Sequence, residues 1–243
     1  MKSKILPWIL FFLTGTIIGM LVFLPLILTR RIVIKGKKNL RGQKFRNVLF
    51  VSNHPSYLET VIIPFATLWP NKFLNPLTCV PWQTPDVKIL ERISLLRFMR
   101  CIPVHDIMGN REDPWVYREI KKVLRNGSVL IFPEGTRSGK AVDKKNVLLY
   151  TKNHIPMGNP RLGIGELIRT SDPIIIPILV KGAEKVMPIG KPIPKFHKSR
   201  VEIIFGVPKK SDHPPDEVLL QHRHAIRRWY AEQAMKRVAE LDE

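Results

Sequence analysis

Two short segments gather the side chains that can move a proton or hold an anion. The first is Ser52-Asn53-His54-Pro55-Ser56-Tyr57-Leu58-Glu59; the second is Phe132-Pro133-Glu134-Gly135-Thr136-Arg137-Ser138. In the first, an imidazole and a carboxylate stand five residues apart. If the two side chains meet, the carboxylate fixes the tautomer of the ring and raises its basicity, which suits a histidine that accepts a proton near neutral pH. On its own, a His-x4-Glu spacing is poorly specific and favours a capping or packed histidine at a strand–helix turn. In the second segment Gly135 permits close backbone approach, Thr136 offers a hydroxyl and Arg137 offers a two-pronged guanidinium. Together they make a cradle for phosphate, although an ordinary strand-to-loop turn with a surface ion pair has the same residues.

Both segments need elements to aim them. Asn47–Val51 (NVLFV) reads as a buried strand and Pro55–Leu68 as a helix, so His54 sits between them. Pro55 pushes His54 out of helical geometry and is itself suited to the first helical position. A continuous helix would point residues 54 and 59 apart; with His54 outside it, contact with Glu59 becomes accessible. Ser128–Phe132 reads as the strand that delivers the second segment. It follows a helix over about 114–125, with Asp113 as N-cap, an apolar stripe of Val116, Ile120, Val123 and Leu124, and an Asn126-Gly127 stop. Further strands are expected near Leu77–Val80, Ile102–Val104, Ile174–Val180 and Val201–Phe205. Helices are expected near 86–99 and 162–169, and a long polar one over about 215–241. Strands alternating with helices predict an α/β domain, with both segments at the carboxyl ends of strands, where open sheets bind ligands.

The remainder of the chain bounds where such a domain works. Residues 5–29 run without a charge, long enough to cross a bilayer, and are followed by Arg30, Arg31, Lys35, Lys37, Lys38 and Arg41. The reading is an uncleaved single-pass anchor with the body on the cytoplasmic side. Expected divisions are an anchor over 1–29, a catalytic domain over 30–210 and a C-terminal helix over 211–243. Forty Lys and Arg against twenty Asp and Glu give a net charge of +20. Beyond residue 29, with Lys2 and Lys4 set aside, 38 basic residues still face all 20 acids. Such a surface seeks an anionic partner, and an anionic bilayer accounts for charge and anchor together. Nucleic acid would leave the anchor idle, and no helix-turn-helix, zinc-finger or RNP-like pattern is present. Cys79 and Cys101 make no CxxC. No His-Glu-x-x-His or Cys/His cluster occurs, and His222 and His224 fit a solvated helix face; no metal is expected.

Taken jointly, the two segments resemble the glycerophospholipid acyltransferase family, typified by 1-acylglycerol-3-phosphate acyltransferases, which carries Asn-His-x4-Asp followed by Phe-Pro-Glu-Gly-Thr-Arg-Ser. This chain has Asn53-His54-x4-Glu59 and FPEGTRS at every position of the second block. The resemblance spans about 30–210. It implies a mixed sheet flanked by helices, His54 as general base, Glu59 as its partner, and Glu134, Gly135, Thr136 and Arg137 as a phosphate-binding block, with Pro177 in the later strand. It also implies acyl transfer from acyl-CoA or acyl-carrier protein to a lysophospholipid hydroxyl, without cofactor. Two departures stand out. Glu59 replaces the usual Asp, and the middle block ends in Asp106 where the family has an Arg, leaving Arg100 or Arg111 as substitutes. The stretch Arg161–Val180 with the following MPIGKPIPKF is also similar to tafazzin, which implies transfer between phospholipids as the alternative; a catalytically silent lipid-binding protein is the other.

Overall fold

The computed structural model describes residues 19–68, 80–92, 100–104, 114–135, 138, 146–188, 190–191 and 193–242. Its strands are β1 (Ile32–Lys35), β2 (Val48–Ser52), β3 (Trp82–Gln83), β4 (Ser128–Ile131), β5 (Val147–Tyr150), β6 (Pro156–Gly158), β7 (Ile174–Lys181) and β8 (Val201–Phe205). Its helices are α1 (Leu24–Leu28), α2 (Glu59–Leu68), α3 (Val87–Arg92), α4 (Pro114–Leu124), α5 (Leu162–Ser171), α6 (Ala183–Val186), α7 (Asp216–Leu219) and α8 (Arg223–Ala239). Six strands form one sheet in the order β1-β8-β7-β2-β4-β3, and β5 and β6 make a separate antiparallel hairpin. Among the described strands of the large sheet β7 and β8 pair antiparallel and the other neighbours pair parallel, so the sheet is mixed.

Both faces of the sheet are covered, which is why its central strands are apolar throughout rather than alternating. On β2, Val48 and Phe50 enter one core with Ile62, Ile63, Phe65 and Ala66 of α2. Leu49 and Val51 enter the other with Val116, Ile120 and Leu124 of α4, Leu167 and Ile168 of α5, and Ala234, Met235 and Val238 of α8. Of the predicted stripe on α4, Val116, Ile120 and Leu124 are buried and Val123 is partly so. The C-terminal segment differs from the long polar helix expected: it breaks after α7, and α8 buries Tyr230, Ala231, Ala234, Met235 and Val238. α8 crosses α5 at Gly165, where an added Cβ would lie 1.7 Å from the Arg227 carbonyl oxygen.

Sheet direction fixes two edges. β2, β4 and β7 run parallel, with Val51 opposite both Ile131 and Pro177; β2 stops at Ser52, level with Ile178, and β7 continues to Lys181. β8 runs against β7, pairing Glu202 with Lys181, and β1 runs with β8. The starts of β1 and β8 thus lie at the edge where β2, β4 and β7 end. The expected membrane-spanning helix is not shown. Among the described residues no helix is long and apolar enough to cross a membrane, and residues 1–18 lie outside them. The described part of that segment is a π-turn, Gly19–Phe23, followed by α1. There Phe23 is buried and its ring stacks on that of Phe65, centroids 4.4 Å apart.

Candidate active site

The chain between β2 and α2 is built around one carboxylate. The helix begins at Glu59, four residues later than the sequence predicts, because residues 55–58 form a turn. The Ser56 side-chain oxygen accepts the Leu58 N–H at 2.9 Å, while the Ser56 N–H donates to Glu59 Oε1 at 2.9 Å. The glutamate half matches the capping box that Ser-x-x-Glu signals, while the serine oxygen serves the Leu58 N–H in place of the Glu59 N–H. The Ser56 hydroxyl also donates to Glu59 Oε2 at 3.0 Å. With the Glu59 side chain fully buried and so held, its Oε1 accepts the hydrogen bond of His54 Nδ1. One carboxylate therefore caps the helix and orients the imidazole.

The ring is fixed on its face as well. His54 stacks on Phe132, centroids 4.4 Å apart and 20° between planes, with the edge of Tyr57 at 6.2 Å. Its side chain keeps 14% of its surface exposed. With Nδ1 bound to Glu59, Nε2 is the nitrogen that can take a proton from a bound hydroxyl.

The second segment grips the peptide of His54 from both sides. The His54 N–H donates to Glu134 Oε1 at 3.2 Å, and the His54 carbonyl accepts the Ser138 N–H at 2.8 Å. Glu134 also accepts the Ser138 hydroxyl at 2.8 Å and the Gly158 N–H at 3.1 Å. Burial raises its pKa above the ordinary carboxylate range, an effect opposed by the Ser138, Gly158 and His54 donors. The Glu134 carboxylate is thus turned inward, joining the ends of β2 and β4 to β6, while the next residue, Gly135, is exposed. Gly135 has a φ of +60°, which favours glycine, and a Cβ there would lie 2.1 Å from Arg161 Nε, so that a larger residue would also displace the Arg161 side chain. Arg161 donates its backbone N–H to the Pro133 carbonyl at 2.9 Å and Nη2 to that of Gly135 at 3.4 Å. Thr136 and Arg137, like Asp106 and Arg111, lie outside the described residues.

Arg100, a substitute considered for the middle block, is not brought to this edge. Cys101 pairs with Gln83, which is level with Leu130, placing Arg100 level with Val129 and Leu49. That is five residues back from His54 along the sheet, roughly 16 Å at about 3.3 Å per residue. Its guanidinium turns to the Val80 carbonyl at 3.4 Å and the face of Trp82 at 5.6 Å. Cys101 beside it is a thiol whose pKa is pushed up to about 11 by burial, which leaves it inert as a nucleophile.

Sequence reasoning passed over three contributors. Asn53 closes the gap beyond β2: its side chain donates to the Val180 carbonyl at 2.9 Å and accepts the Val180 N–H at 2.8 Å. Ser56 holds Glu59, and the Ser-x-x-Glu pattern signals it. The β5–β6 hairpin supplies the Gly158 donor and is itself pinned by the C-terminus. Asp242 accepts hydrogen bonds from Thr151 and Asn153 and pairs with Lys181. Among the described residues no group of three or more His, Cys, Asp or Glu side chains could hold a metal ion.

The likeness to known proteins agrees with this layout. The crystal structure of the 1-acyl-sn-glycerophosphate (LPA) acyltransferase, PlsC, from Thermotoga maritima superimposes with a TM-score of 0.56. It does so at 18% identity, over 99% of this chain and 83% of that one, a likeness of fold. No curated protein sequence matches the chain. The family model described as Acyltransferase matches residues 31–181, which include every segment that holds His54, Glu59 and Glu134. The chain belongs to the acyltransferase family.

Proposed function

We propose that the chain moves a fatty acyl group from the thioester of acyl-CoA or acyl-carrier protein to the free hydroxyl of a lysophospholipid. The acceptor favoured is 1-acylglycerol-3-phosphate, giving phosphatidic acid. The observation that carries this reading is the His54 ring. Its Nδ1 is committed to a buried Glu59 and its peptide is clamped by the segment that carries Gly135, Thr136 and Arg137. His54 Nε2 takes the proton of the acceptor hydroxyl as the oxygen attacks the thioester carbonyl. The tetrahedral intermediate collapses, the C–S bond breaks, and the thiolate leaves with the proton held by the imidazolium. Glu59 stabilises that imidazolium without itself taking a proton. Arg137 and Thr136, which follow Glu134 and Gly135 in sequence, bind the acceptor phosphate; Lys in place of Arg137 lacks the fork and should raise KM for a phosphate-bearing acceptor. In the same reading the apolar N-terminal segment anchors the chain, and the basic body works on the cytoplasmic leaflet.

The test is a turnover screen of lysolipids with acyl-CoA and acyl-carrier-protein donors, read by lipid mass spectrometry. Acylation of 1-acylglycerol-3-phosphate by the wild-type chain is expected. Exchange of acyl groups between phospholipids without a thioester would favour the tafazzin-like reading. Inactivity on every pair would favour a silent lipid-binding protein.

A further inference from the structure

The two edges of the sheet differ in how their basic residues are used. At the edge where β7 starts and β8 ends, Lys209 pairs with Asp212 at 2.8 Å, Arg237 with the same carboxylate at 2.8 Å, and Lys210 with Asp172. At the other edge, which carries His54, the loop Met187–Arg200 leads into β8 with Lys191, Lys195, Lys198 and Arg200 and no acid. Arg200 is 4.0 Å from Glu202; Lys191, Lys195 and Lys198 are exposed and make no ion pair among the described residues.

Apolar side chains accompany these charges. Ile193 in the loop is 71% exposed and Leu28 at the end of α1 is 73% exposed. Arg31 joins the two regions: its carbonyl accepts the Val201 N–H at 2.8 Å and its guanidinium donates to the His197 carbonyl at 3.4 Å. The apolar N-terminal segment thus reaches β1 from the same edge at which the basic loop emerges and at which β2 delivers His54. Unneutralised lysines around exposed aliphatic side chains match an anionic headgroup layer, with the charges at the phosphates and the aliphatic groups below them.

We propose that the Met187–Arg200 loop and the end of α1 form a bilayer-docking surface that seats the His54 edge of the sheet on an anionic leaflet. This rests on the reading of the chain as a membrane-lipid enzyme and adds to the N-terminal segment a second, charge-dependent contact.

The test uses the full chain in vesicles of phosphatidylcholine, with and without phosphatidylglycerol, and reads hydrogen exchange along the backbone. Slowed exchange in 187–200 on the anionic vesicles, reversed by high salt, with none in 207–212, is expected. A combined Lys191→Gln, Lys195→Gln, Lys198→Gln variant should lose that protection. It should also turn over acceptor embedded in anionic vesicles about tenfold more slowly, while detergent-dispersed acceptor is turned over as before. Equal exchange in both vesicle types, with the chain bound to both, would overturn the loop surface and leave the anchored reading standing. Failure of the full chain to associate with either vesicle would overturn both. A variant that slows on both presentations of acceptor would mean a role in substrate binding instead, and would likewise overturn the proposal.

Discussion

Two buried glutamates, one at the strand-end edge and one between α5 and α8, are handled in opposite ways. Among the described residues the hydrogen-bond donors to Glu134 are neutral, the His54 and Gly158 amides and the Ser138 hydroxyl, and burial raises its pKa. Burial works in the same direction on Glu166. There, hydrogen bonds and charge from Arg169 at 2.9 Å and Arg223 at 2.6 Å outweigh it and lower the pKa. The first arrangement fixes the His54 backbone through neutral donors; a cation among those donors would discourage the ring from accepting a proton. The second ties two helices together and has no proton to manage. Position around a carboxylate, more than its burial, separates machinery from scaffold here.

The comparison breaks most sharply at His54. His54→Ala should bring acyl transfer to background while the folded state persists, because the Glu134 and Ser138 bonds are to its backbone. Circular dichroism beside the turnover assay checks both halves.

Glu134→Gln should damage both properties. A carboxamide has one acceptor oxygen and brings an NH₂ toward donors, so at least one of the three bonds is lost, at a cost of about 1–3 kcal/mol. Turnover should fall about 10- to 100-fold, mostly in kcat, as the His54 peptide loosens. Unchanged kcat in a destabilised protein would reduce Glu134 to scaffold and erase the contrast.

Glu166→Gln should cost about 1–3 kcal/mol with kcat unchanged. The pH dependence of the urea midpoint sharpens this. Glu166 has a lowered folded-state pKa, so its contribution is complete above the ordinary carboxylate range and is lost as pH falls through the lowered value. Glu134 has a raised one, so stability declines as pH climbs from the ordinary range through the raised value. Glu166→Gln should therefore flatten the acid limb, and Glu134→Gln the fall just above it. Asp242, also lowered because Lys181, Thr151 and Asn153 outweigh its burial, should leave a residual acid limb in both variants.

Much of this layout could be read from local sequence, for a local reason. His54 follows β2 and Glu134 follows β4 because VLFV and SVLI are short apolar runs ended by polar turn residues, and the contact between His54 and Glu59 spans five positions. What escaped depends on distant partners. The four residues of β1 become a strand by pairing with Val201–Ile204, and next to the Arg30–Arg31 pair they read as a charged flank. The hairpin needs His154 at a φ of +59° in its turn, a conformation that histidine does not announce. Glu134 sits among Gly, Thr and Arg and was grouped with them as an anion binder. Its inward role depends on Gly158, 24 residues away. The resemblance offers Arg100 or Arg111 for the middle-block arginine, but the Gln83–Cys101 pairing sets Arg100 near the opposite end of the strands.

The central claim is that His54 and Glu59 form one proton-accepting unit, and a double-mutant cycle on acyl transfer to 1-acylglycerol-3-phosphate tests it most directly. Glu59→Gln alone should cut kcat by about 10²- to 10⁴-fold, the scale of general-base assistance. His54→Ala should cut it to background. The double variant should be no worse than His54→Ala, since an orienting carboxylate then has nothing to orient. Full additivity of the two losses, or turnover retained in a well-folded His54→Ala protein, would contradict the account.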